Sequence, residues 1–219
     1  MPPPHIACTG RAAPSSDTMI PRSCPKNSFF YIAGCQVRLS KAGYYSDFYV
    51  YPIVILGLTA SALVRATVAD AVAWLAATLA GVVIWTLLEY AMHRVAFHRI
   101  AFFIPMHDEH HRAPLAYIGT PTWMTLSVLL TAFFVPAWMW LSFTVASGLT
   151  AGVMSGYVWY GALHHLIHHP RYRLPLVGRL RAWHLRHHYS KSAGNFGVTT
   201  TVWDYVFRTA LAARSVKQG

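Results

Sequence analysis

Along the chain, apolar residues gather into long blocks rather than alternating with polar ones. Phe48 to Val64 carries no charge, Arg65 to Asp70 make a short polar interruption, and Ala71 to Leu88 is again charge-free. From Ala113 to Pro170 there is no Asp, Glu, Lys or Arg, a run far longer than the roughly 20 residues one spanning helix needs. It must fold back on itself. Thr120 and Pro121 read as an N-cap and a first-turn proline, and Ser147 with Gly148 as the reversal point. The expected spans are about 48–66, 70–92, 121–145 and 149–169.

The first 46 residues differ in kind. Pro2, Pro3, Pro4, Pro14, Pro21 and Pro25 interrupt any helix, and no apolar stretch there is long enough for a signal peptide. YIAGC, ending at Cys35, has the outline of a lipoprotein cleavage box, but only Phe29 to Ile32 precede its small residues. The reading adopted is a tail over 1–46, partly disordered or interfacial, with FFYIAG and QVRLSKAGYY at the membrane surface, and a membrane-embedded domain over 47–219.

Composition agrees with the blocks. Of 219 residues, 55% are hydrophobic and 11% charged, and the mean hydropathy is +0.36, the profile of a membrane protein. Eighteen Lys and Arg against seven Asp and Glu give a net charge of +11. Nucleic-acid binders carry such charge on a polar scaffold. Here it flanks apolar runs, so anionic lipid headgroups are the expected neighbours and nucleic acid is not. Cys8, Cys24 and Cys35 have no metal-type spacing and form no disulfide framework.

Charge also orients the spans. With four spans and both termini on one side, that side receives seventeen of the eighteen Lys and Arg: five before the first span, three between the second and third, nine after the fourth. Only Arg65 falls opposite. The positive-inside rule then places both termini and the 93–120 loop in the cytoplasm.

Twelve of the thirteen histidines lie between 93 and 188, in HRVAFH, HDEHH, HHLIHH and HLRHH. Two spans separate the second cluster from the third, so all four emerge on one face. On a helix, residues i, i+3 and i+4 project to one side, so H-x-x-H-H is expected to aim three imidazoles at a common point, and His164 with His168 to aim two more. His93 and His98 are five apart, roughly 140° around an ideal helix, and need the helix to end or bend between them. His5, in the tail, is left out of this convergence. A single H-x-x-H-H also describes an exposed helix face, but four clusters on one face point to metal. Imidazole suits zinc, copper, iron and nickel. Ten or so are too many for one ion, and five per metal suits iron better than tetrahedral zinc. Glu89, Asp108, Glu109 and Asp204 are expected beyond the ligands, holding the N–H of a ligating ring.

The order H-x4-H, H-x-x-H-H, H-x3-H, H-x-x-H-H, followed by NFGVTTTVWDYVF (Asn195 to Phe207), resembles the fatty acid hydroxylase or sterol desaturase superfamily of membrane di-metal oxygenases, most closely its fatty acid 2-hydroxylase branch. The similarity covers about residues 46 to 209. It implies an all-α, integral-membrane bundle of four transmembrane helices with a cytosolic, histidine-rich helical cap holding a di-metal site. By the same resemblance the ligands would be His93, His98, His107, His110, His111, His164, His168, His184, His187 and His188, leaving His165 and His169 as non-ligands beside the metals or facing substrate. Spacing alone leaves this open, since His165, His168 and His169 also form H-x-x-H-H. The implied activity is hydroxylation of a membrane lipid's alkyl chain with O2, two iron ions and electrons from a separate protein; zinc can fill the same ligands in a preparation. Two departures stand out: Gly161 follows Tyr160 where relatives often carry Asp, and Arg208-Thr209 replaces the usual Gly-Thr. No His-Pro-Gly-Gly haem stretch occurs in the chain.

Other readings of the same site are desaturation, sterol methyl oxidation and carotenoid ring hydroxylation, and outside enzymes a metal transporter or store. Transport predicts ionisable residues at mid-membrane, whereas charges and histidines here sit at span ends. Trp123, Trp138, Trp140, Tyr157, Trp159, Tyr160 and Trp183 are candidates for a substrate cavity or for interfacial anchors, and Arg171, Arg173, Arg179 and Arg181 for a lipid headgroup contact.

Overall fold

Charge-free blocks become helices because a backbone surrounded by lipid has only its own carbonyls to bond. In the computed structural model, which describes residues 38–169 and 174–212, α1 (Lys41–Tyr45) leads into α2 (Asp47–Leu63), and Thr67 opens α3 (Val68–Ala91) through a capping box with Asp70. α3 widens into a π-helical turn, Met92–Phe97, before α4 (Ile104–Arg112). α5 (Thr122–Leu129), a second π-helical turn (Leu130–Phe134) and α6 (Val135–Trp140) form one broken rod. Pro136 has no N–H to give the preceding turn, and the wide turn absorbs the missing bond. α7 (Phe143–His168), α8 (Pro175–Tyr189) and α9 (Val202–Val206) complete the described helices. Among the described residues there is no strand, and the one isolated antiparallel bridge joins Arg38 and Ile118. His5, the three cysteines, FFYIAG, Arg171 and Arg173 lie outside the described residues.

Among the described residues, three helical stretches are long and apolar enough to cross a membrane: Lys41–Leu63, Val68–Phe97 and Thr122–Trp140. Their bounds correct the expected ones in two places. Thr120 is not an N-cap: Pro121 is extended at ψ 137° and itself precedes the first helical residue, so the helix starts one position later. The reversal falls at Leu141 and Ser142, not at Ser147 and Gly148. Leu141 is extended, and the Ser142 hydroxyl accepts from Val145 N to cap α7.

Ser147 and Gly148 lie buried inside α7 for a packing reason. Gly148, Gly152 and Gly156 recur every four residues on one face of α7, and α3 presses against that face. A Cβ on Gly152 would collide with the Thr78 carbonyl, one on Gly148 would come within 2.6 Å of the Trp74 carbonyl, and one on Gly156 within 2.5 Å of the Trp85 ring. Gly81 on α3 is equally crowded by α7 backbone. Small residues let two helices approach to backbone contact where lipid would otherwise intervene. They also lower α7's hydropathy, because the residues buried along it include Ser147, Thr150 and three glycines. Gly152→Val is expected to cost about 3 kcal/mol, the upper range for overpacking. Gly57, which has open space around its Cβ position, supplies the control. In detergent, the Gly152→Val protein melts several degrees below the parent and Gly57→Ala melts with it.

Two apolar clusters fix the histidine-bearing ends. Tyr51, Trp85, Leu129, Val153 and Met154 join α2, α3, α5 and α7. Leu163, Ile167, Val177, Leu180 and Val198 lock the end of α7 to α8 and to the segment following it.

Candidate metal centre

The π-helical turn decides where the first two histidines point. On an α-helix His93 and His98 would stand about 140° apart, but π-helical hydrogen bonds run from i to i+5, which brings residues five apart nearly above one another. Their rings stack with centroids 5.4 Å apart. The bend expected between them is this turn.

The expectation that each H-x-x-H-H aims three rings at one point is overturned, because each motif splits two and one. His107 and His111 of α4 gather with His93, His98 and His187, while His110 gathers with His164, His168, His184 and His188. Helix geometry is the reason. At 100° per residue, i+4 lies about 40° from i, but i+3 lies about 60° to its other side. So α4 gives two rings to the first group and one to the second, and α8 gives one to the first and two to the second. The π-turn pair completes the first group and the α7 pair the second. In each group of five the nitrogens lie within 4.8 Å of one another.

Backbone carbonyls fix the tautomer of two rings. His93 Nδ1 lies 2.5 Å from the Phe196 carbonyl and His187 Nδ1 2.9 Å from that of Gly194. A carbonyl only accepts, so each Nδ1 carries the proton and each neutral ring presents a bare lone pair on Nε2. Those two Nε2 atoms are 2.9 Å apart. Two lone pairs at that distance repel unless a cation lies between them, and charging either ring would bury the charge. The other spacings follow suit: His107 Nε2 lies 3.1 Å from His98 and 3.0 Å from His111, and His184 Nε2 lies 3.2 Å from His164 and 3.0 Å from His188. Nitrogens about 2.0–2.1 Å from one ion stand about 3.0 Å apart at right angles and about 3.4 Å apart at tetrahedral angles. The donor set therefore fits a pair of metal ions, each held by more than four nitrogens.

The rings are kept ready to ligate. Burial, and then the neighbouring imidazoles, push His110 and His187 down to about 3 and His188 to about 2. Burial lowers His107, His184, His98 and His111 in the same direction. Neutral imidazole, the ligating form, is thus the state at neutral pH.

The acids act at one remove from where they were expected: among the described residues none of them holds a ring of either group. Asp204, fully buried, accepts from Phe196 N, Gly197 N, Trp183 Nε1 and Thr209 Oγ1. Glu89 accepts from Val198 N, Thr199 N and Thr199 Oγ1. Together they staple a strap, residues 194–211, whose carbonyls in turn hold His93 and His187. Asn195, which the sequence offered only as the first residue of the tail motif, anchors the same strap: it sits at φ 57°, donates to Trp183 O and accepts from Leu211 N. Arg208, at φ 56°, occupies the left-handed conformation that the usual glycine would adopt without strain. Glu109 is paired instead with Arg38 and Arg112.

Beside the rings lies a cavity of about 320 Å³, lined by His93, His107, His110, His164 and His184 at one end and by apolar residues such as Leu129, Phe133 and Val158. Tyr157 and Tyr160 line it, whereas Trp123, Trp138, Trp140 and Trp159 are exposed on the helix surfaces, and Trp183 is buried against Asp204. Asp47, which receives hydrogen bonds from Thr122 and Tyr157, also faces the cavity and carried no motif signal. Of the remaining histidines, His165 Nδ1 pairs with the Tyr44 hydroxyl and His169 Nδ1 with the His165 carbonyl; both stand outside the two groups. Arg181 is committed to the Leu166 and Ile167 carbonyls at the end of α7, while Arg179 is exposed.

Comparison with known proteins places this geometry. A match to the family described as Fatty acid hydroxylase covers residues 78–209. The chain is 33% identical over 144 residues to a dihydroceramide fatty acyl 2-hydroxylase of Arabidopsis thaliana, covering 59% of this chain and 58% of that protein. It is 37% identical over 142 residues to a ceramide very long chain fatty acid hydroxylase of Saccharomyces cerevisiae, covering 60% and 37%. Against human fatty acid 2-hydroxylase the identity is 30% over 144 residues, covering 59% and 38%. The aligned region thus spans between about a third and three fifths of these relatives' lengths. A solved structure of full-length scs7p, of which only the hydroxylase domain is visible, superimposes with a TM-score of 0.67 at 30% identity, covering 79% of this chain and 68% of that one.

Proposed function

Since the chain belongs to the fatty acid hydroxylase family, we propose that it is a membrane-bound di-iron oxygenase that hydroxylates the alkyl chain of a lipid, a fatty acyl chain or sphingolipid, using O2 and electrons from a separate protein. The observation that carries this reading is the pair of bare Nε2 lone pairs on His93 and His187, 2.9 Å apart in a nest of five rings, with a second nest alongside. The ligands are the ten histidines His93, His98, His107, His111 and His187, and His110, His164, His168, His184 and His188. Iron, when bound there, supplies the redox and O2 chemistry that side chains lack. The chain's own part is positional. The cavity wall of Leu129, Phe133 and Val158 holds an alkyl chain against the imidazole end and excludes water. Neutral rings offer that end no competing proton.

In this reading residues 47–219 form the hydroxylase-like domain, with four spans. α7, 26 residues and so about 39 Å long, is the fourth, screened from lipid by its neighbours. The histidine-bearing ends form a cap on the cytoplasmic side, where both termini also lie, a placement supported by the seventeen-to-one distribution of Lys and Arg. The deciding experiment is lipid mass spectrometry on cells with and without the gene. A lipid that gains one oxygen supports hydroxylation, one that loses two hydrogens replaces it with desaturation, and no change in any lipid refutes both.

The lowered imidazoles also set a pH dependence. A ring whose folded pKa lies below its unfolded value of 6.5 takes up its proton more readily when unfolded, so its stabilising effect is present above 6.5 and is lost as pH falls toward about 3. The melting temperature of the metal-free protein in detergent is expected to be flat from pH 8 to 7 and to fall steadily below 6.5. A flat profile down to pH 4 would contradict the burial of these rings.

A further inference from the structure

The two groups of five are not equivalent. In the first, His93 and His187 are turned and protonated at Nδ1 by the Phe196 and Gly194 carbonyls. In the second, the Nδ1 atoms of His184 and His188 are buried with no acceptor among the described residues, and no strap carbonyl reaches His110, His164 or His168. A ring held at its far nitrogen has its tautomer and orientation fixed before a metal arrives, whereas an unheld ring must be ordered at the moment of binding. Asp204 stands behind the strap peptide that presents the Phe196 carbonyl. It holds Phe196 N and Gly197 N at 2.9 Å while it also takes the Trp183 and Thr209 donors.

Resting on the metal-centre reading above, we propose that the two metal positions load unequally: the position made by His93, His98, His107, His111 and His187 is the tight one, the other exchanges, and Asp204 is the positioning residue that creates the difference through the strap. Outer partners of this kind change metal affinity by about 10–100-fold, and the gap between the two positions is expected in that range.

The test uses purified, detergent-solubilised protein loaded with isotopically enriched ferrous iron and titrated with a chelator, following iron content and Mössbauer spectra together. The expected result is two releases, separated at least tenfold in chelator activity, each removing one spectral component. His168→Ala should leave only the tightly held iron, and His98→Ala only the loosely held one. Asp204→Asn should merge the two releases by loosening the tight ion. Thr199→Val, which removes a single strap bond to Glu89, should narrow the gap without merging them and guards against an Asp204 variant that fails to fold. Two irons leaving together from the parent protein would overturn the proposal while leaving the di-metal reading intact. So would a loosely held iron in the His168→Ala protein. A folded protein that binds no metal at all would sink both.

Discussion

Alanine at His107 or at His184 is expected to cut lipid hydroxylation to below a hundredth of the parent rate and to remove the metal ion of its own group, while alanine at His169 changes neither. His107 Nε2 sits at the middle of the first group, 3.2 Å from His93, 3.1 Å from His98 and 3.0 Å from His111. His184 holds the same place in the second, 3.2 Å from His164, 3.1 Å from His168 and 3.0 Å from His188. Loss of an outer partner alone costs about 10–100-fold, so loss of a central nitrogen should exceed about 100-fold. His169 belongs to neither group and spends its Nδ1 on its own helix. Metal analysis on the folded variants separates a lost ligand from a lost fold. Full metal and full activity in His107→Ala would remove that ring from the site.

A second large effect concerns which ion is present. Protein loaded only with zinc should fold, melt at or above the metal-free temperature and form no hydroxylated lipid, and exchange to iron should restore turnover. Zinc accepts imidazole as readily as iron does but has no redox chemistry, and an unactivated alkyl C–H bond does not yield to acid–base groups alone. The neutral rings here offer neither electrons nor a strong base. Hydroxylation by an iron-free zinc protein, with its iron content measured, would require a different chemistry.

The histidine clusters were legible because histidine is scarce and its spacing is local: the four clusters and the need for a bend between His93 and His98 follow from short segments, whereas the choice of His164 and His168 over His165 and His169 came only with the family resemblance. The two-and-one division was also latent in the 100° helical step, since i+3 and i+4 diverge. What stayed hidden depends on distant partners. Gly148 resembles a turn until α3 is known to lie against it, when Gly148, Gly152 and Gly156 become a contact stripe. Asp204 and Glu89 were placed beside the rings, yet they bind the backbone that binds the rings, because a carboxylate can gather several N–H groups of one strap and sequence does not reveal that path.

The exchange of rings between α4 and α8 restricts how such a chain can vary. One extra residue between His107 and His111, or between His184 and His188, rotates every later imidazole by about 100° and dismantles both nests together. Descendants of this sequence can trade side chains along those two segments, but they cannot lengthen or shorten them.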